Sequence, residues 1–547
     1  MAASLITAER IVSMDPGVGE PEAVLVEDGR IAAAGTLAEV EQRTPREVRR
    51  YDFPGASLTP GLVESHIHPV TTGLAALWAD CRPESCRTIG RITDTLRAHR
   101  PGADGWIRGW GYDDTLLAEQ RHPTRDDLDA VSTDKPVLLT HSSGHFAVAN
   151  STALALAGID ERNVAHGDTR FPRGTDGRLS GLAWEIDAVK RLTAAVPPAT
   201  KADLREAILR ALGTARRSGI TAVHDLAIGG YGGEEEATVY RELDAEGRLP
   251  VRVTGYLRGH LALAAVDRGL HVFDSGRPLR GGPGSADGRE TVGSRFRLAG
   301  AKLWADGSIQ GLSAALRVPY LCDAHCGDLL HPQDELDAIV QRLHRAGAQV
   351  AVHANGDAAV TAATTALRRA QDGDGRIARH RIEHCQVTKT ADLDAIAAAR
   401  LAVSFFVNHV YFWGDRHRDR FLGRERAQFL DPLAAADAAG LRYGLHSDCP
   451  VTPMDPLRTI AIAVQRTTSS GAALGADQRI PVLRALRAMT LDSAFLVHDE
   501  GRTGSITPGK LADLTLIDGP VDRLADGSTV SPAPVAVMVD GEWDSGF

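Results

Sequence analysis

Two histidines one residue apart, His66 and His68 in LVESHIHP, are the first residues whose types and spacing point to chemistry. In a β-strand residues i and i+2 share a face, so both imidazoles project to one side and can hold one metal ion. In a chain with 20 histidines such a pair is weak alone, but this one closes an apolar run just before Pro69. Three further apolar runs close on ligand types: QVAVHANGD on His353, RHRIEHC on His384 and YGLHSD on Asp448. Each singly reads as a satisfied buried polar residue. Brought to one place, they describe a His-rich divalent-metal site with a carboxylate, suited to zinc and open to other transition metals.

Lysine usage adds a sixth group. Of 61 basic residues only Lys135, Lys190, Lys201, Lys302, Lys389 and Lys510 are lysine, so a lysine inside the apolar run RLAGAKLW asks for a reason. One account is a buried stem whose ammonium reaches Asp306. Beside the histidines the better account is a metal-bridging carbamate on Lys302. Burial and nearby cations depress the amine's pKa, the neutral amine adds CO2, and the new carboxylate joins two metals. Arginine stays protonated and has no such route.

Groups at the ends of separate runs need a scaffold that brings the ends together. Eight strand candidates, at 62–68, 220–226, 251–257, 297–304, 348–354, 379–385, 401–406 and 442–448, alternate with Ala/Leu/Arg-rich helical stretches such as 202–219, 334–347 and 431–440. That alternation predicts a parallel sheet, and eight strands close a (β/α)8 barrel whose chemistry sits at the C-terminal strand ends. The expected organisation is an α/β chain in three parts. Residues 1–57 and 499–547, short strands at both chain ends, form one β-sandwich domain, since neither set alone has enough strands to be stable. Residues 58–84 and 202–498 form the barrel. Residues 85–201 form an inserted lid or substrate subdomain.

Composition narrows the classes. The 547 residues carry a net charge of −10, which disfavours a nucleic-acid binder. Six scattered cysteines do not make a disulfide framework. With no basic-then-apolar leader in MAASLITAERIVSMDPG and no apolar span of membrane length, a cytoplasmic protein is expected.

GLVESHIHP, GAKLWADGSIQG, AVHANGDAAV, RIEHCQ and GLHSDCPVTPMDPL together resemble the metal-dependent amidohydrolase superfamily, in its YtcJ-like and N-substituted formamide deformylase branch. The resemblance spans nearly the whole chain, including the tail GSITPGKLADLTLID. It implies that His66, His68 and Asp448 bind one divalent ion, that His353 and His384 bind a second, and that carboxylated Lys302 bridges them. Asp448 would also carry a proton from the attacking water to the leaving amine. Deaminase-like members place a Glu shortly after the fifth-strand histidine. Here Ala354-Asn355-Gly356-Asp357 follows His353, which makes ring deamination less expected.

The expected activity is hydrolysis of a linear C–N bond, foremost the deformylation or deacylation of an N-substituted formamide or small N-acyl amine. Alternatives are an N-acyl amino acid or carbamate hydrolase, a non-hydrolytic lyase or isomerase, and a silent binding protein. The loop FFVNHVYFWGDRH resembles that of the formamide deformylases; Phe405, Phe406, Tyr411, Phe412 and Trp413 in it suggest, as a group, an apolar substrate portion, with Phe405, Tyr411 and Trp413 the foremost candidate contacts. In the insertion, Trp110 and Tyr112 are candidate contacts, with His145 and Glu185 as polar ones. The expected partner is a small-molecule amide, with no nucleic acid and no membrane, and a homodimer is the candidate assembly.

Overall fold

The computed structural model describes residues 3–274, 294–526 and 532–544; the expected outer limits of the two-ended domain, Met1 and Phe547, lie outside the described residues. Two compact units divide the chain. The first comprises Met1–Pro69, Ile208–Cys449 and Pro453–Phe547, and the second Val70–Ala207 with Pro450–Thr452. The second thus runs past the expected limits of 85 and 201. Within Val70–Ala207, Gly73 of helix Pro69–Ala75 lies so close to Ala207 of helix Lys201–Arg217 that a Cβ there would stand 2.0 Å from the Ala207 carbonyl oxygen.

In the first unit eight parallel strands follow one another across one sheet: Leu62–Ile67, Ile220–Ile228, Arg252–Arg258, Phe296–Trp304, Gln349–Ala354, Arg381–His384, Ala402–Phe405 and Tyr443–Leu445. The first and last meet. Ser65 Oγ donates to Leu445 O at 2.9 Å. Past the strand ends Asp448 N–H donates to His66 O and His68 N–H to Cys449 O. This is the (β/α)8 barrel that the alternating runs predict, with all eight expected strands present. Strands paired on both edges and covered on both faces have no solvated side, so Gln349–Ala354 is buried throughout and Phe296–Trp304 nearly so.

Register carries the site residues to a common level. Parallel pairing sets Trp304 beside His353, His353 beside Glu383, and His384 beside Phe405. Gly300, paired with Gln349, permits this approach between the fourth and fifth strands, since a Cβ there would stand 1.7 Å from the Gln349 carbonyl oxygen. Gly300→Ala is expected to cost about 1–3 kcal/mol by overpacking, read as a lower denaturant midpoint with an unchanged slope.

The same unit holds a seven-stranded sheet made by both chain ends. Its strands run in the order Glu542–Trp543, Pro534–Val539, Leu514–Asp518, Val48–Pro60, Ala3–Ile11, Ala23–Glu27 and Arg30–Gly35. Asp28 and Gly29, both with positive φ, turn the Ala23–Gly35 hairpin. Ile6, Val24, Leu58, Leu514 and Met538 form its core. The second unit carries a five-stranded sheet, ordered Leu182–Trp184, Phe146–Ala149, Val137–His141, Ile107–Tyr112 and Ala79–Asp80. Ile92, Leu96, Leu139 and Phe146 pack its core. Among the described residues no helix is long and apolar enough to cross a membrane.

Candidate metal centre

His66 ends the first barrel strand with His68 one step beyond. Asp448 Oδ1 lies 3.5 Å from His66 Nε2 and 3.0 Å from His68 Nε2, and the three ligand atoms fall within 4.8 Å of one another. That oxygen is buried and receives no hydrogen bond of proper geometry among the described residues. An anionic oxygen withdrawn from water and flanked by imidazole nitrogens is costly unless a cation meets it. The donor set of two imidazoles and a carboxylate matches what a catalytic zinc takes from a protein.

The other expected ligands stand close by. Lys302 Nζ is 3.4 Å from His66 Nε2. Asp306, its alternative partner by sequence, is engaged elsewhere: its carboxylate accepts the backbone N–H groups of Ala315, Asn355 and Gly356 and thereby shapes the loop after the fourth strand. The His384 ring centroid lies 4.8 Å from that of His66 and 4.5 Å from that of His353. His353 Nε2 itself lies 3.0 Å from both Gly307 O and Asn355 Nδ2. The structure therefore brings together all six residues, with His353 reaching the group through His384.

Two of them hold an unusual backbone. Strand alternation would put Arg381 and Glu383 on one face and His384 on the other, but φ turns positive at His384 (71°) and Cys385 (51°). The pleat ends there, and Cys385 and Cys449, each directly after an expected ligand, are buried. Asp448 also has positive φ, 53°. Such residues cost about 1–3 kcal/mol each and persist where the surroundings over-determine them, often at functional sites.

Burial sets the protonation of the cluster. It holds the His66, His384 and His446 imidazoles well below their ordinary pKa, leaving neutral rings with a lone pair to offer. It brings the Lys302 amine down to about 8, against the pull of Glu383 and Asp448. It also pushes the Glu64 carboxyl up to about 8, although the Ser447 N–H and hydroxyl both donate to it.

The residues that aim these ligands are not marked by the strand-end spacing of the ligands themselves. Glu383 Oε2 lies 2.7 Å from His66 Nδ1, which makes that nitrogen the donor and turns Nε2 toward Asp448. Arg381 clasps the same carboxylate with Nε at 2.8 Å and Nη2 at 3.0 Å, and Nη2 also donates to Ser65 O. His446 does the same for His384. Its Nε2 meets His384 Nδ1 at 3.1 Å, while its Nδ1 meets Ser404 Oγ at 2.7 Å. With both nitrogens engaged, His446 positions His384. The signals were present in RIEH, where Glu383 precedes a ligand, and in LHSD, where His446 repeats the i, i+2 spacing of His66 and His68.

The expected substrate contacts divide. Phe405 is fully buried against Tyr443 at 5.3 Å between ring centroids. Trp413 packs against His409 with the rings tilted by 33°, and Tyr411 lies under the Arg458 guanidinium. Of the loop's aromatic group, Phe406 faces the cluster, 5.8 Å from His384 and 5.0 Å from His446 by ring centroids. In the second unit Tyr112 is sealed in the core, its hydroxyl 2.9 Å from His122 Nδ1, and Trp110 packs near Trp78. His145 Nδ1 and Glu185 Oε2 form a pair at 2.8 Å, with Glu185 at φ 71°.

A family model described as the amidohydrolase family matches residues 51–543. Putative amidohydrolase YtcJ of Bacillus subtilis is 27% identical over 530 residues, covering 94% of this chain and 93% of that protein. N-substituted formamide deformylase of Arthrobacter pascens is 27% identical over 542 residues, covering 95% and 94%. Among solved structures, an uncharacterized metal-dependent hydrolase from Pyrococcus horikoshii superposes with a TM-score of 0.74 at 22% identity, covering 96% of this chain and 99% of that one.

Proposed function

This chain belongs to the amidohydrolase family, and from that premise we propose that it hydrolyses a linear C–N bond, removing a formyl or other small acyl group from an N-substituted amide. The observation that carries this reading is the buried Asp448 oxygen between His66 and His68. His66, His68 and Asp448 would hold one divalent ion, zinc foremost, and His353 and His384 a second. Lys302, brought to about 8 by burial, would join the two as a carbamate. When bound, the ions acidify water and polarise the scissile carbonyl.

The protein's own residues supply orientation and proton transfer. Glu383 and His446 fix the ring planes of His66 and His384 before substrate arrives. Asp448 accepts the proton of the attacking water and returns it to the departing nitrogen, so that an amine leaves rather than an amide anion. Phe406 supplies an apolar wall, which supports a substrate with an apolar body; the relative from Arthrobacter pascens, named for N-substituted formamides, points the same way.

The test is amine release from a panel of N-formyl and N-acetyl amines by purified protein with added zinc. Dialysis against a chelator is expected to lower the rate at least about tenfold, and zinc to restore it. Turnover that persists in protein shown to be metal-free, or products other than an amine and a carboxylate, would remove the reading.

A further inference from the structure

Helices of the barrel unit return to the sheet through one repeated turn. After the helix Glu235–Ala245 the N–H of Gly247 donates to Asp244 O and that of Arg248 to Leu243 O. The same double bond closes the helices Gly259–Asp267, Gln333–Arg345 and Leu433–Ala438, with Gly269, Gly347 and Gly440 in the left-handed position. This is the Schellman end, whose left-handed residue is usually glycine because a Cβ is strained there. The helix Thr390–Ala398 closes identically, Arg400 N–H to Ala397 O and Leu401 N–H to Ile396 O, but its left-handed residue is Arg400, at φ 52°.

Arg400 lines a cavity of about 360 Å³ at the N-terminal ends of the last three barrel strands, the end opposite the candidate metal centre. Nine residues line it; three are arginine, none is acidic, and Ile377, Leu401, Leu441 and Phe495 supply apolar wall. Arg379, also left-handed at φ 48°, and Arg442 each place a guanidinium carbon 3.8 Å from the Phe495 ring centroid. Both are tethered, Arg379 to Glu500 at 2.7 Å and Arg442 to Asp492 at 2.9 Å. Asp492 also serves Arg484 and Arg487, and Asp437 serves Arg484. The lining thus carries three guanidiniums and no carboxylate, and the Asp492 that tethers Arg442 is shared with two further arginines, in a chain of net charge −10. The Arg400 side chain is exposed, and its guanidinium has no hydrogen-bond or ion-pair partner among the described residues. Its charge near a helix C-terminus offsets the helix dipole, but a cation anywhere in the last turn would do so without strain.

We propose that this cavity binds a small organic anion with an apolar or ring body and a phosphate-like dianionic head, the head held by Arg400 and the body seated along Ile377, Leu441 and the edge of Phe495. The two tethered guanidiniums hold the wall in place, and Arg400 supplies the uncommitted charge.

Phenyl phosphate and inorganic phosphate, titrated calorimetrically into the full-length protein, test the assignment. Phenyl phosphate is expected to bind one to one and more tightly than inorganic phosphate. Arg400→Gly is expected to weaken it at least about tenfold while raising the melting temperature, since glycine is the ordinary residue at such an end. Unchanged phenyl phosphate affinity in Arg400→Gly, or no saturable binding to the unmodified protein, overturns the site. A melting temperature that falls in Arg400→Gly overturns the claim that the arginine is held against strain.

Discussion

Replacing His66 with alanine is expected to lower amide hydrolysis by about 10³-fold or more while leaving the protein folded. The imidazole is one of the three grouped side chains that could hold an ion, and its Nε2 is also the contact of Lys302 at 3.4 Å. Loss of the ring removes a donor and the group that holds Lys302 among the histidines. A bound metal contributes several kcal/mol to a hydrolytic transition state, and each 1.4 kcal/mol is tenfold in rate. The fold has less at stake, because the barrel is closed next to His66 by backbone hydrogen bonds from Asp448 and His68 that do not involve its side chain. The measurement is amine release alongside metal content per chain by mass spectrometry. A His66→Ala protein that keeps its full metal content and most of its activity would place the chemistry elsewhere.

How much of this was legible beforehand follows from which residues act through period and which through contact. Strands buried on both faces announce themselves as short apolar runs, so all eight barrel strands could be placed, and with them the level at which His66, His353 and His384 end. Lys302 stood out because arginine is the default cation of this chain and a buried lysine is not. The helpers were harder. Glu383 sits in a strand whose alternation hides its purpose until Arg381 and His66 are seen on either side of it. Nothing local says that His446, just past the last barrel strand, faces His384. The aromatic loop misled in detail for the same reason. Phe405 and Phe406 are neighbours in sequence, and only packing decides that Phe405 turns to Tyr443 while Phe406 turns to the histidines. The backbone reversals at His384 and Asp448 are not placed by residue type: His and Asp enter the left-handed region more often than most residues, but the great majority of either do not.

The second large effect separates stability from metal affinity at one residue. Glu383 is fully buried and holds two partners at once, the Arg381 guanidinium and His66 Nδ1. Glu383→Ala leaves Arg381 charged inside the barrel with only Ser65 O, His224 Nδ1 and Tyr256 Oη for company. Breaking a buried pair by removing one partner costs about 3–5 kcal/mol, whereas replacing both by apolar groups of similar volume is often neutral. Arg381→Met with Glu383→Leu is therefore expected to recover most of the denaturant resistance that Glu383→Ala loses. Metal affinity should not recover with it. In both variants His66 has lost the carboxylate that fixes its tautomer and ring orientation, and loss of such an outer partner typically lowers affinity 10–100-fold. Denaturation of the chelated proteins and competitive zinc titration of the folded ones read the two effects independently. If zinc affinity rose together with stability in the double variant, Glu383 would be only the counter-charge of Arg381, and the aiming of His66 would rest on Lys302 and Asp448 alone.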